Sequence, residues 1–146
     1  MRSPKSDDDC CDFLTVKADI SSLENLQDFA ASCLIRLGGP DILLGKIELV
    51  LEELLVNVFH YAYPGDTPGQ VTLHCHRHEG NLVFAIQDRG VAFDPLARDD
   101  IDTSQDIEER RIGGLGIHLV KNMVDSLTYE RQDGSNILTV VFSLPK

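Results

Sequence analysis

The chain has 146 residues, 42% of them hydrophobic, enough to bury the core of one globular domain. Its 13 Lys and Arg against 24 Asp and Glu give a formal charge of −11, which would repel nucleic-acid phosphates and anionic membranes. No apolar run approaches the roughly 20 residues that span a bilayer, and the start M-R-S-P-K-S-D-D-D lacks the apolar stretch of a signal peptide, so a cytoplasmic location is expected.

Residues 1–11 are polar and acidic and are predicted to be disordered, leaving 12–146 as a single folded domain. Phe13 to Ala18 alternates as a first strand should. Ser21 and Glu24 have the spacing of a capping box. The helix they open would bury Leu23, Leu26, Phe29, Ala30, Cys33, Leu34 and Leu37 before Gly38-Gly39-Pro40 stops it. Asp41 is placed to cap a second helix, which runs to about Tyr63 and is stopped by Pro64-Gly65-Asp66. Its apolar face contains Leu49, Val50, Leu51, Leu54, Leu55, Val58 and Phe59.

Two polar residues interrupt that helix. Asn57 sits between Val56 and Val58, where an unpaired amide is costly, and Glu53 stands one turn earlier on the same face. A carboxylate beside a carbonyl oxygen suits a hard cation, or a base next to one. On this helix alone, a solvated glutamate and an amide bonded within the core is the preferred reading of the pair.

Gln70–78 and Asn81–88 read as strands joined by a turn at Glu79-Gly80. His74, His76 and His78 share one face, but a strand spaces them widely and no thiol or carboxylate joins them, so a polar outer strand is preferred over a metal site. Leu82, Phe84 and Ile86 face inward and Asp88 continues their phase, so its carboxylate needs a donor unless it belongs to an ordinary turn. Residues 96–112 hold six acidic residues and little to bury, the composition of a lid or a disordered segment. Gly113 to Gly116 then open a helix with a buried face of Leu119, Val120, Met123, Val124 and Leu127, and free N–H groups at such a start favour an anion. A closing hairpin, 127–132 and 136–144, turns at Asp133-Gly134. Cys10, Cys11, Cys33 and Cys75 form no C-x-x-C pair and are expected to be free thiols.

Three motifs therefore occur in order: E-x-x-x-N on a helix, D-R-G-V-A-F-D-P after a strand, and G-G-L-G opening a helix after a long acidic stretch. The trio resembles the ATP-binding fold of the GHKL superfamily, shared by histidine kinases and gyrase B, over about Phe13 to Leu144. With E-E-L-L-V-N, Y-A-Y-P and G-G-L-G-I-H-L-V added, it looks most like the stand-alone anti-sigma-factor serine-protein kinases of bacterial partner-switching systems.

The resemblance implies a two-layer α/β (α+β) sandwich, with helices on one face of a mixed, mostly antiparallel sheet. The other sheet face would be more polar and open to self-association as a homodimer. It implies ATP and Mg²⁺ as cofactors, with Asn57 reaching the metal and Glu53 acting as the general base toward a substrate serine. Asp88 would accept from the adenine amino group, Gly90 would let the base approach, and Phe93 lies in the same motif. Backbone groups of Gly114, Leu115 and Gly116 would meet the phosphates, with Arg111 in the lid beside them. The implied partners are a small anti-sigma-factor antagonist (a STAS-domain protein) as substrate, and a sigma factor or similar sequestered target. The kinases usually read S-E-A-x-T-N, whereas Glu52 and Val56 occupy two of those positions here, and Tyr61 stands where a histidine often follows. A nucleotide-gated binding module without transfer, and a histidine-kinase catalytic domain acting in trans, are the alternative functions.

Overall fold

The computed structural model describes residues 11–65, 67–97 and 114–145. Strand β1 (Cys11–Lys17) is followed by helices α1 (Leu23–Arg36) and α2 (Leu44–Tyr61), then strands β2 (Gln70–His78) and β3 (Asn81–Asp88). Helix α3 (Gly114–Met123) and strands β4 (Ser126–Gln132) and β5 (Ser135–Ser143) complete the order. The sheet runs β1-β2-β3-β5-β4, and every described pairing is antiparallel.

Alternation in the strands decides which face is covered. Val71, Leu73 and Cys75 on β2, Leu82, Phe84 and Ile86 on β3, and Leu138, Val140 and Phe142 on β5 are all buried. They form one cluster with Leu26, Ala30, Cys33 and Leu34 of α1, Ile47, Val50, Leu51, Leu54, Leu55 and Val58 of α2, and Ile117 and Val120 of α3. Phe84 and Phe142 meet edge to face across neighbouring strands, their ring centres 6.1 Å apart. Burying the Val, Leu, Ile and Phe side chains among them contributes roughly 1.5–3 kcal/mol each relative to exposure.

Several local expectations change. Cys11 begins β1 rather than ending a disordered segment, pairing in register with His76, whereas residues 1–10 lie outside the described part. The Ser21–Glu24 capping box is not formed: Asp19 accepts from the Ser21 N–H at 2.8 Å and caps a short 3₁₀ turn, Ile20–Ser22, that leads into α1. Asp41 likewise lies inside a 3₁₀ turn, Asp41–Leu43, and the residue before α2, Leu43, has no side-chain cap. Helix α1 ends as expected before Pro40, with Gly38 N–H on Ile35 O (3.1 Å) and Gly39 N–H on Leu34 O (2.8 Å).

Helix α2 stops at Tyr61, earlier than the pattern implies: Ala62 N–H still reaches Val58 O at 3.0 Å, but Pro64 has no N–H to extend the ladder, and the carbonyl of Ala62 accepts instead from the Val91 N–H at 2.8 Å. Leu49 is 38% exposed rather than part of the buried face. Leu119 is 51% exposed: α3 is anchored by Ile117 and Val120, and a residue two beyond Ile117 lies about 200° around the helix. Val124 and Leu127 fall after α3, Leu127 within β4. Cys33 and Cys75 are buried free thiols, and His74 contacts Gln87 at 3.2 Å and the ring of Phe13. Among the described residues no helix is long and apolar enough to cross a membrane.

Candidate functional site

Three elements converge at the end of the helical layer: the middle of α2, the segment after β3 and the start of α3. Helix α2 carries Glu53 and Asn57 one turn apart. Asn57 is only 3% exposed, and its Nδ2 donates to the main-chain carbonyl of Glu53 at 2.9 Å rather than to the carboxylate. This bond orients the amide and leaves its Oδ1 buried without a partner among the described residues. A buried acceptor left unpaired costs about 1–3 kcal/mol, so it calls for an external donor or cation.

Glu53 faces α3. A Cβ built on Gly116 would collide with the Glu53 carboxyl, so the carboxylate lies directly over the first turn of that helix. Partial burial, and then the charge of Glu52, raise the Glu53 pKa above the ordinary carboxylate value. Glu52 itself is exposed.

The segment after β3 is docked on the end of α2. A Cβ on Gly90 would strike the carbonyl and Cβ of Ala62, so the backbone closes to a distance only glycine permits. Tyr63 ties the same corner from the other side, its hydroxyl donating to Gln70 O (2.7 Å) and accepting from the Arg89 N–H (2.9 Å). Asp88 is thereby held 4% exposed beside α2. The donors sought for its inward carboxylate are the Gly90 N–H (2.8 Å) and Asn136 Nδ2 (2.9 Å), both on Oδ1. Burial raises the Asp88 pKa, while Asn136, the Gly90 N–H and the Arg131 charge pull it down. Phe93 is half-buried and stacks on Tyr61, with ring centres 4.8 Å apart.

Glu53, Asn57, Asp88, Gly90, Phe93 and Gly116 are thus brought to one region. Gly114 and Leu115 begin α3, although only their backbone is described. Arg111, Gly113 and all but Leu96 and Ala97 of the expected lid lie outside the described residues; those two end a 3₁₀ turn, Pro95–Ala97. The donor set fits a nucleotide with its metal: an oxygen of Asn57 and an oxygen of Asp88 without partners among the described residues, held near one another by close packing at Gly90 and Gly116.

Sequence reasoning missed Asn136. A signal existed, because Asn136 shares the inward phase of Leu138, Val140 and Phe142, as Asp88 does with its own strand.

A family model described as a histidine kinase-like ATPase domain matches residues 16–142. The serine-protein kinase RsbW of Listeria innocua is 26% identical over 96 residues, which cover 63% of this chain and 61% of that protein. The serine/threonine-protein kinase BtrW of Bordetella bronchiseptica is 27% identical over 94 residues, covering 64% of this chain and 66% of that one. The match therefore spans less than two thirds of the Listeria protein's length. The crystal structure of the RsbU and RsbW domains of a Mycobacterium tuberculosis protein has the same fold, with a TM-score of 0.66 at 15% identity, over 93% of this chain and 33% of that one. Fold, motif order and family model agree, and the chain belongs to the histidine kinase-like ATPase domain family.

Proposed function

We propose that this chain is an ATP-dependent serine-protein kinase of the anti-sigma type, which phosphorylates a small STAS-domain antagonist and separately sequesters a sigma factor or similar target. One observation carries the reading: the buried Oδ1 of Asn57, without a partner among the described residues, one turn from a Glu53 carboxyl that rests on Gly116 of α3. In this reading Asn57 Oδ1 is a ligand for Mg²⁺, which when bound offsets the charge of the triphosphate. Asp88 accepts from the amino group of adenine, Gly90 lets the backbone after Asp88 close on Ala62 and so fixes where Asp88 meets the base, and the Tyr61–Phe93 stack supports the neighbouring wall. Backbone N–H groups of Gly114, Leu115 and Gly116 face the phosphates, where the helix dipole favours negative charge; Arg111 adds a cation. Glu53 takes the proton of the incoming serine hydroxyl, and its raised pKa makes it a better base than an exposed carboxylate. A cytoplasmic location, a single folded domain that starts with β1 at Cys11, and a homodimer through the open sheet face belong to the same proposal.

The contact between Glu53 and Gly116 favours a second reading, in which the chain is a nucleotide-gated binding module without useful transfer. There, Glu53 would rest against the phosphate-binding turn instead of meeting a hydroxyl. Labelled ATP with the cognate antagonist separates the two. Acid-stable label on an antagonist serine supports the kinase. Binding of ATP and antagonist with no label supports the module, and acid-labile label on a histidine would point to transfer in the manner of a histidine kinase.

A further inference from the structure

Asn136, the second residue of β5, lies opposite Asp88 in the antiparallel register and is 4% exposed. All four hydrogen-bonding positions of its amide are used. Nδ2 donates to Asp88 Oδ1 at 2.9 Å and to Val91 O at 2.8 Å. Oδ1 accepts from the Phe93 N–H at 3.2 Å and from the Tyr129 hydroxyl. Turning the amide over would set its oxygen against a carboxylate and a carbonyl, so the donor end is committed to Asp88. Both of Asp88's hydrogen bonds among the described residues end on Oδ1, so Oδ2 remains open to a ligand. Arg131 braces the arrangement from β4, donating to Gly90 O at 2.9 Å.

We propose that Asn136 is a positioning residue that saturates one oxygen of Asp88 and reserves the other for an exocyclic amino group, thereby setting the site's preference for a 6-aminopurine. A carboxylate free to rotate would offer either oxygen, and one left without donors in a buried site would take up a proton and cease to discriminate donor from acceptor. With Oδ1 doubly occupied, the carboxylate plane is fixed and Oδ2 is an obligate acceptor. An amino group matches it; the carbonyl of a 6-oxopurine repels it. The inference rests on the reading of Asp88 as the base-contacting residue, and its test separates the two.

The experiment is a calorimetric titration of the full chain with Mg-ATP and with the Mg complex of purine riboside triphosphate, which lacks the 6-amino group. The unaltered protein should favour ATP about tenfold, the size expected for a hydrogen bond to a charged acceptor. Asn136→Ala should lose most of the preference for ATP, because loss of the bonds to Val91 and Phe93 affects both nucleotides alike whereas loss of the bond to Asp88 weakens only the nucleotide that carries the amino group. A merely structural role would weaken both nucleotides alike, and an unchanged preference in Asn136→Ala overturns the proposal. If the unaltered protein shows no preference, the reading of Asp88 fails and the inference fails with it. Should Asn136→Ala not fold, Tyr129→Phe decides: it removes one donor to Asn136 Oδ1, a lower preference supports the proposal, and an unchanged one overturns it.

Discussion

Replacing Asn57 with leucine should stabilise the protein while abolishing its Mg-ATP binding. The two side chains share a γ-branched outline, so the exchange changes polarity more than shape. The asparagine oxygen is buried without a partner among the described residues, a cost of about 1–3 kcal/mol that leucine removes. The bond from Nδ2 to Glu53 O is lost, a net penalty of roughly 1 kcal/mol. Packing beside the Leu54 and Val58 turns of α2 adds an apolar contribution of about 1 kcal/mol for the methyls that replace the amide. The balance is a gain of about 1–3 kcal/mol, equivalent to about 3–9 °C in the unfolding midpoint for a chain of this size. Thermal unfolding followed by circular dichroism reads the first effect, and calorimetric titration with Mg-ATP reads the second. A lower midpoint together with undiminished ATP affinity would show that the amide serves the core, and the site would lose its strongest support.

The remaining expectations concern neighbouring groups. Glu53→Gln should bind ATP and antagonist yet lose roughly 10²- to 10⁴-fold in serine phosphorylation, while Glu52→Gln, on the exposed face, should phosphorylate normally; single-turnover assays of both variants would expose an error if Glu53→Gln transfers at full rate. Asp88→Asn should raise the unfolding midpoint at neutral pH, because burial raises the folded-state pKa of Asp88 and its ionised form therefore opposes folding. That gain should fade as pH falls through the folded-state pKa and vanish below the ordinary carboxylate range; melts across pH test this, and a pH-independent difference would contradict it. Gly90→Ala should cost about 2–4 kcal/mol, from overpacking against the Ala62 backbone and loss of the Val91–Ala62 bond. Gly45→Ala, where nothing lies within 4 Å, should be neutral or stabilising by up to about 1 kcal/mol in the same denaturation series.

Periodicity made most of the fold legible, because burial imposes a period of two on strands and 3.6 on helices. The alternation of Leu82, Phe84 and Ile86 placed β3 and turned Asp88 inward, and the spacing of Leu26, Ala30, Cys33 and Leu34 placed α1. The order of E-x-x-x-N, D-R-G and G-L-G likewise pointed to the family that the comparisons report. Helix ends were less legible. Several polar residues near Ser21 could cap, and Asp19 prevails because the chain first makes a 3₁₀ turn there. Leu119 looked buried by composition, but α3 meets its neighbours along a stripe too narrow to cover it.

What the residues by themselves determined was thus which side chains seek the core and which polar ones resist it. Which polar groups satisfy one another was decided only in three dimensions. Asp88 and Asn136 are 48 positions apart, and only antiparallel pairing of β3 with β5 sets them opposite each other. Glu53 meets Gly116 only when α3 packs on α2. Patterning records each residue's preference for water or core, whereas a hydrogen bond requires two groups within about 3 Å at a defined angle, and that is a property of the folded chain.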